Sequence, residues 1–154
     1  MTAESRDIAR QLVACSMFRW MPGMLSDTSG RVLDTSEFRP DRNGPTFPLV
    51  TWSDHVTWRS CGESYDYHPT VPPGYALPDI DDPATGGAIL VALGHEAARV
   101  RYSPSRRQQD AGRPWEADLY GGSVNSSITM HATLGRACAA VMIELSSRQP
   151  RQAE

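Results

Sequence analysis

The three acids Asp79, Asp81 and Asp82 are the first candidates for chemistry, because clustered carboxylates are the hard oxygen ligands that Mg²⁺ or Ca²⁺ takes. They lack the spaced ligands and central glycine of a calcium-binding loop. Asp82 stands directly before Pro83, and an acidic cap followed by a first-turn proline is how a helix begins. Capping is therefore the role read for this cluster. His55, Cys61 and His68 supply zinc-ligand types, but their spacing matches no common zinc module and a fourth ligand would have to come from afar. His95-Glu96 is no zincin signature, since position 99 is Arg and not His. Gly121-Gly122-Ser123 is too short a run to cradle a phosphate, and no nucleophile elbow or dinucleotide fingerprint occurs. Cys138 falls on an apolar helical stripe, where a thiol serves as a small core residue. The expectation is a protein with no catalytic residues, no metal site and no cofactor.

Charge is more informative than any motif. From Ser60 through Ala98 stand six acids, Glu63, Asp66, Asp79, Asp81, Asp82 and Glu96, with no arginine among them. From Arg99 through Arg113 five arginines, Arg99, Arg101, Arg106, Arg107 and Arg113, meet only Asp110. Two such blocks either neutralise each other on a solvated surface or form a two-signed interaction surface. In the second case Glu63, Asp66, Asp79 and Asp81 address a basic partner, and the arginines reach a carboxylate or phosphate.

Fifteen basic residues against eighteen acidic ones give a net charge of −3, which disfavours general coating of nucleic acid. Every basic residue is Arg, a skew first attributed to a GC-rich coding genome. Three widely spaced cysteines form no disulfide framework and fit a reducing cytoplasm. Leu12-Val13-Ala14-Cys15 superficially matches a lipoprotein cleavage box, yet Glu4, Arg6, Asp7 and Arg10 occupy the place of its apolar core. The apolar run Ala88 to Leu93 has six residues, against the roughly twenty that a membrane-spanning helix needs.

A length of 154 residues, 40% hydrophobic and 21% charged, predicts one globular domain over 1–148 and a frayed tail over 149–154. Ile8, Leu12 and Cys15 predict an amphipathic helix from Ala3 to about Met17. A hairpin turning at Ser29-Gly30 follows, then a proline-bearing loop from Phe38 to Pro48, and strand segments at Leu49–Trp52 and His55–Trp58. Five prolines between Pro69 and Pro83 predict an extended connection. A middle helix is predicted from Asp82-Pro83 to about Arg99, with Gly86, Gly87 and Gly94 implying close approach of another backbone. The arginines after it are expected on a polar loop. Trp115–Leu119 alternates as a strand, and a last helix from about Thr129 carries Leu134, Ala137, Cys138, Val141 and Leu145 on one face.

The run Leu77-Pro78-Asp79-Ile80-Asp81-Asp82-Pro83-Ala84-Thr85-Gly86 and the apolar stretch behind it resemble small proteins encoded by phages and prophages of GC-rich bacteria. Arg19-Trp20-Met21-Pro22-Gly23-Met24 and the Ala-rich closing helix resemble theirs too, and the order of elements is similar to the phage α-β-α (ABA) sandwich domain. The similarity covers most of residues 3 to 146 in outline, carried by two short segments. It implies an α+β fold, a single-domain α-β-α sandwich with a small, mainly antiparallel sheet and about three helices. It brings no catalytic residues with it. The function it implies is a phage or prophage accessory protein that binds a host protein or ribonucleoprotein complex in the bacterial cytoplasm, as an anti-CRISPR-like inhibitor of defence does, with no oligomeric state implied. A different class of reading is a small-molecule or nucleotide binder, or a cryptic hydrolase, using Tyr65, Tyr67, His68 and the arginines around a cleft. A structural virion component is a third, for which stronger repeat signals would be expected.

Overall fold

The first helix, α1 (Ala3–Val13), starts where the Thr2 side chain accepts the Ser5 amide at 3.1 Å, with Glu4 in the favourable first turn. Ser5, Ala9 and Leu12, spaced four and three apart, form its buried stripe. Four helices and eight strands are described in this computed structural model, which covers residues 1–54, 56–60, 63–119 and 127–148, with the side chains of 56–60, 63 and 65 outside the description. His55, Cys61, the 121–123 run and the tail 149–154 lie outside the described residues.

The predicted turn at Ser29-Gly30 forms, with Leu25 bridging Arg31 in antiparallel sense. It leads into β1 (Val32–Phe38), which pairs antiparallel with β2 (Phe47–Trp52); β5 (Thr70–Val71) pairs with the other side of β2. Strand structure thus reaches into the stretch read as loop, and Pro48 sits within β2. Its missing N–H is tolerated because β5 spans only Val50 and Thr51, so β2 is an edge strand at Pro48. β3 (Val56–Ser60) and β4 (Glu63–Tyr67) form a separate two-stranded ribbon.

Asp82 caps α2 (Pro83–Leu93), accepting the Thr85 amide at 2.8 Å, with Pro83 in the first turn. The helix ends at Leu93, short of the Arg99 expected for it. Gly94, at φ +57°, breaks it, and a single 3₁₀ segment carries the chain to Arg99. β6 (Val100–Tyr102) and the five-residue α3 (Arg106–Asp110) occupy the expected arginine loop. β7 (Trp115–Asp118) appears where alternation places it, between β6 and β8 (Ile128–His131). β8 corrects the start of the last helix: Ile128 and Thr129 are β-branched and pair with β7, and α4 (Leu134–Arg148) begins only after Thr133, whose hydroxyl accepts the Arg136 amide.

The α+β class holds, with two three-stranded antiparallel sheets and the ribbon in place of one small sheet. One core joins the described elements, centred on α4 with α1, α2 and the β6–β7–β8 sheet against it. Ala137, Cys138 and Val141 are fully buried there, whereas Leu134 and Leu145 at the ends of the stripe are only partly buried. Burial pushes the Cys138 thiol up to about 12, which keeps it protonated at neutral pH. α2 crosses α4 at Gly86 and Gly135: a Cβ built on Gly86 would stand 2.8 Å from the Gly135 nitrogen. The close backbone approach read from the glycines is real at Gly86, while around Gly87 there is open space.

Candidate functional site

A groove of about 1020 Å³ lies between α1 and the β1–β2 pair. α1 presents Arg6, Arg10 and Val13 to it, a stripe with the same four-and-three spacing as its buried one and displaced from it by a single residue. The turn after α1 adds Phe18, Arg19 and Trp20. Trp20 stands edge-on between Phe18 and Trp52, at centroid distances of 5.6 and 5.1 Å, so the aromatic corner is held rigidly from behind. From the sheet, Thr35 and Val50 face each other in register, as do Glu37 and Pro48, and all four line the groove.

The remaining wall is the turn Pro73-Gly74-Tyr75-Ala76. Gly74 has φ +57°, and the Ala76 amide closes the turn on the Pro73 carbonyl at 3.2 Å. Leu77 fixes its far end: its amide donates to the Asp27 carboxylate at 2.9 Å, and its carbonyl accepts the Asp27 amide at 2.9 Å. The result is a braced turn that holds Tyr75 fully exposed at the groove's mouth.

The groove's charges are unequally engaged. Arg10 pairs with Asp7 at 2.7 Å on an exposed surface, and the Asp27 carboxylate is committed to Leu77. The guanidinium groups of Arg6 and Arg19 have no hydrogen-bond or ion-pair partner among the described residues. An apolar, aromatic and proline-lined trough with uncommitted arginines along one side is suited to binding an apolar body that carries negative charge.

None of the residues first picked out by charge lines this groove. Asp81 lies in a polar cluster beneath α1 and α4. Its carboxylate meets Arg136 Nε at 2.8 Å and the Ser5 hydroxyl at 2.5 Å, while Arg136 also reaches Glu4 at 2.8 Å and the Thr2 hydroxyl at 2.9 Å. Burial pushes the Asp81 carboxyl up, but the hydrogen bonds and charge of Arg136 and the Ser5 hydroxyl outweigh it and hold the group below its ordinary value. Asp82 pairs with Arg31 at 3.2 Å, and Asp79 accepts the Asp81 amide at 3.1 Å. Asp66 is exposed on β4, and the Glu63 side chain lies outside the description.

The arginine block divides. Arg99 is partly buried, donating to the Asp118 carbonyl at 2.7 Å and pairing with Glu96 at 3.2 Å, and Arg101 pairs with Glu116 at 2.5 Å. Arg106, Arg107 and Arg113 remain exposed on or beside α3, without an ion-pair partner among the described residues. The two blocks therefore do not neutralise each other as wholes: their one mutual pair is Glu96 with Arg99 among the described residues.

Tyr67 and His68, exposed at the end of β4, line neither the groove nor the smaller cavity of about 300 Å³ beside Asp81, Asp82 and Trp115. A hydroxyl–imidazole contact exists at Thr129 and His131, 2.8 Å apart, but it too lines neither space. Among the described residues no three His, Cys, Asp or Glu side chains gather to hold a metal, and no helix is long and apolar enough to cross a membrane.

The groove escaped the sequence reading because its walls are distant in the chain. Arg6, Arg10 and Val13 do show helical spacing, a signal passed over in favour of the apolar face beside it. No family model, curated protein or solved structure matches the chain.

Proposed function

We propose that this chain is a non-catalytic binding protein and that the groove between α1 and the β1–β2 pair is its recognition surface. The observation that carries this reading is the combination of a fully exposed tyrosine on a braced turn with two uncommitted arginines around one apolar trough. Tyrosine and arginine dominate affinity at protein interfaces, and a preset turn lowers the ordering cost of binding. The partner class is the one implied by the resemblance to small phage and prophage proteins, a host protein or ribonucleoprotein complex of bacterial defence.

A second reading places recognition at Arg106, Arg107 and Arg113, favoured by their exposure and lack of ion-pair partners among the described residues. Tagged protein carrying Tyr75→Ala with Arg19→Glu, compared with Arg106→Ala with Arg107→Ala in capture from host extract, separates the two. The groove variant should lose the proteins that the parent retains. An unchanged captured set from the groove variant, with loss from the α3 variant, moves recognition to α3.

A further inference from the structure

We propose that the groove takes an extended, acidic peptide segment of the partner; this rests on the groove being the recognition surface. Charge complementarity is the first argument. Arg6, Arg10 and Arg19 lie along the α1 side, and two of them have no partner among the described residues. Of the two acids in the lining, Asp27 is committed to the Leu77 amide, and Glu37 belongs to the β1 side. A segment with carboxylates on one edge therefore fits in one orientation, acids toward α1.

Shape is the second argument. β1 is the end strand of its sheet: Val32 is engaged by the 23–25 segment, while from Asp34 to Phe38 its only strand partner among the described residues is β2. Three consecutive residues of β1, from Thr35 to Glu37, border the groove. Pro48, Leu49 and Val50 of β2 and the turn after β5 line it as well, so the groove crosses the sheet from its β1 border. A chain entering over that border passes the open edge of β1, with which an extended segment can pair where a helix cannot. The apolar side chains of such a segment would rest between Trp20 and Tyr75, with its acids facing the arginines.

The test is fluorescence polarisation with a fluorescein-labelled peptide, Glu-Leu-Glu-Phe-Glu-Leu, against the same peptide with Lys in place of every Glu. At low salt the acidic peptide should bind at least tenfold more tightly. Arg6→Glu with Arg19→Glu should weaken the acidic peptide tenfold or more and shift preference toward the Lys peptide. Arg106→Ala with Arg107→Ala should leave both affinities unchanged. Equal affinity for the two peptides, or a preference that ignores the charge reversal, overturns the proposal. Should the double reversal fail to fold, Arg19→Gln alone should still cost threefold or more, and no change there overturns it equally. If neither peptide binds while host-protein capture still depends on Tyr75 and Arg19, the acidic-segment assignment falls and the recognition surface stands. If capture does not depend on them, both fall.

Discussion

At the scale of single residues, Arg136 joins the two ends of the chain. Its guanidinium bonds to Thr2, Glu4 and Ser5 at one end of the sequence and to Asp81 in the middle, so α1, α4 and the approach to α2 share one polar cluster. Removing the Asp81 charge from this partly buried pair leaves Arg136 with only the exposed Glu4 as its counter-charge. Asp81→Asn should therefore cost about 2–3 kcal/mol in urea titration, more than an exposed acid such as Asp7, whose pair with Arg10 is of the kind worth roughly 0–1 kcal/mol. Acid should act in two stages. His131 is held below its ordinary 6.5 first by burial and then by the charge of Arg136, so the unfolded chain takes up its proton first and stability falls as pH drops below 6.5. Asp81 and Asp82, also held low, contribute stability that is complete above 3.8 and lost as pH falls further through their folded values. His131→Gln should flatten the first stage and leave the second, as read by urea midpoints from pH 7 to 3. Asp81 was legible in the sequence as an acid near a helix start, but its partner lies 55 positions away, and no local pattern announces such a pair.

At the scale of elements, the strongest signals were those contained within one turn of chain. The Asp82-Pro83 start of α2 and the apolar stripe of α4 were both readable, because a cap and a helical period are local facts. β6 and β8 were not. Val100-Arg101-Tyr102 is too short to show alternation, and Ile128–His131 is made a strand by pairing with β7 rather than by any period of its own. The glycines of α2 show how tertiary contact divides residues of one type. At Gly86 an added methyl meets the backbone of α4, whereas at Gly87 it meets nothing within 4 Å. Gly87→Ala should stabilise by roughly 0.5–1 kcal/mol, the ordinary helix-propensity gain. Gly86→Ala should destabilise despite the same gain, since the α2–α4 crossing must open to admit the methyl. Thermal denaturation of the pair checks this, and equal shifts of the same sign would show that the crossing is not the constraint.

At the scale of the molecule, the core and the groove share Val50 and Ala76, while Arg6, Arg19 and Tyr75 stand on the groove's exposed rim and take no part in the core. The described core is centred on α4 and the elements packed against it, while the groove is walled by residues from Arg6 to Leu77. Tyr75 packs against nothing that its loss would unfill, and Arg19 has no partner to strand among the described residues. Tyr75→Ala and Arg19→Gln should therefore each leave thermal stability within about 1 kcal/mol of the parent, the range ordinary for surface positions away from caps and networks. Their effect should appear in affinity instead, as loss of the captured partner. Because Arg6 and Arg19 act from an exposed surface, raising salt from 0.05 to 0.5 M, about 14 to 4 Å in Debye length, should weaken the parent's binding in the same direction as Arg19→Gln. The mutant's own salt response should be shallower, since one of the screened charges is already gone. A mutant and parent that respond to salt identically would mean that Arg19 does not face the bound partner, and the acids it was meant to meet would have to be sought opposite α3.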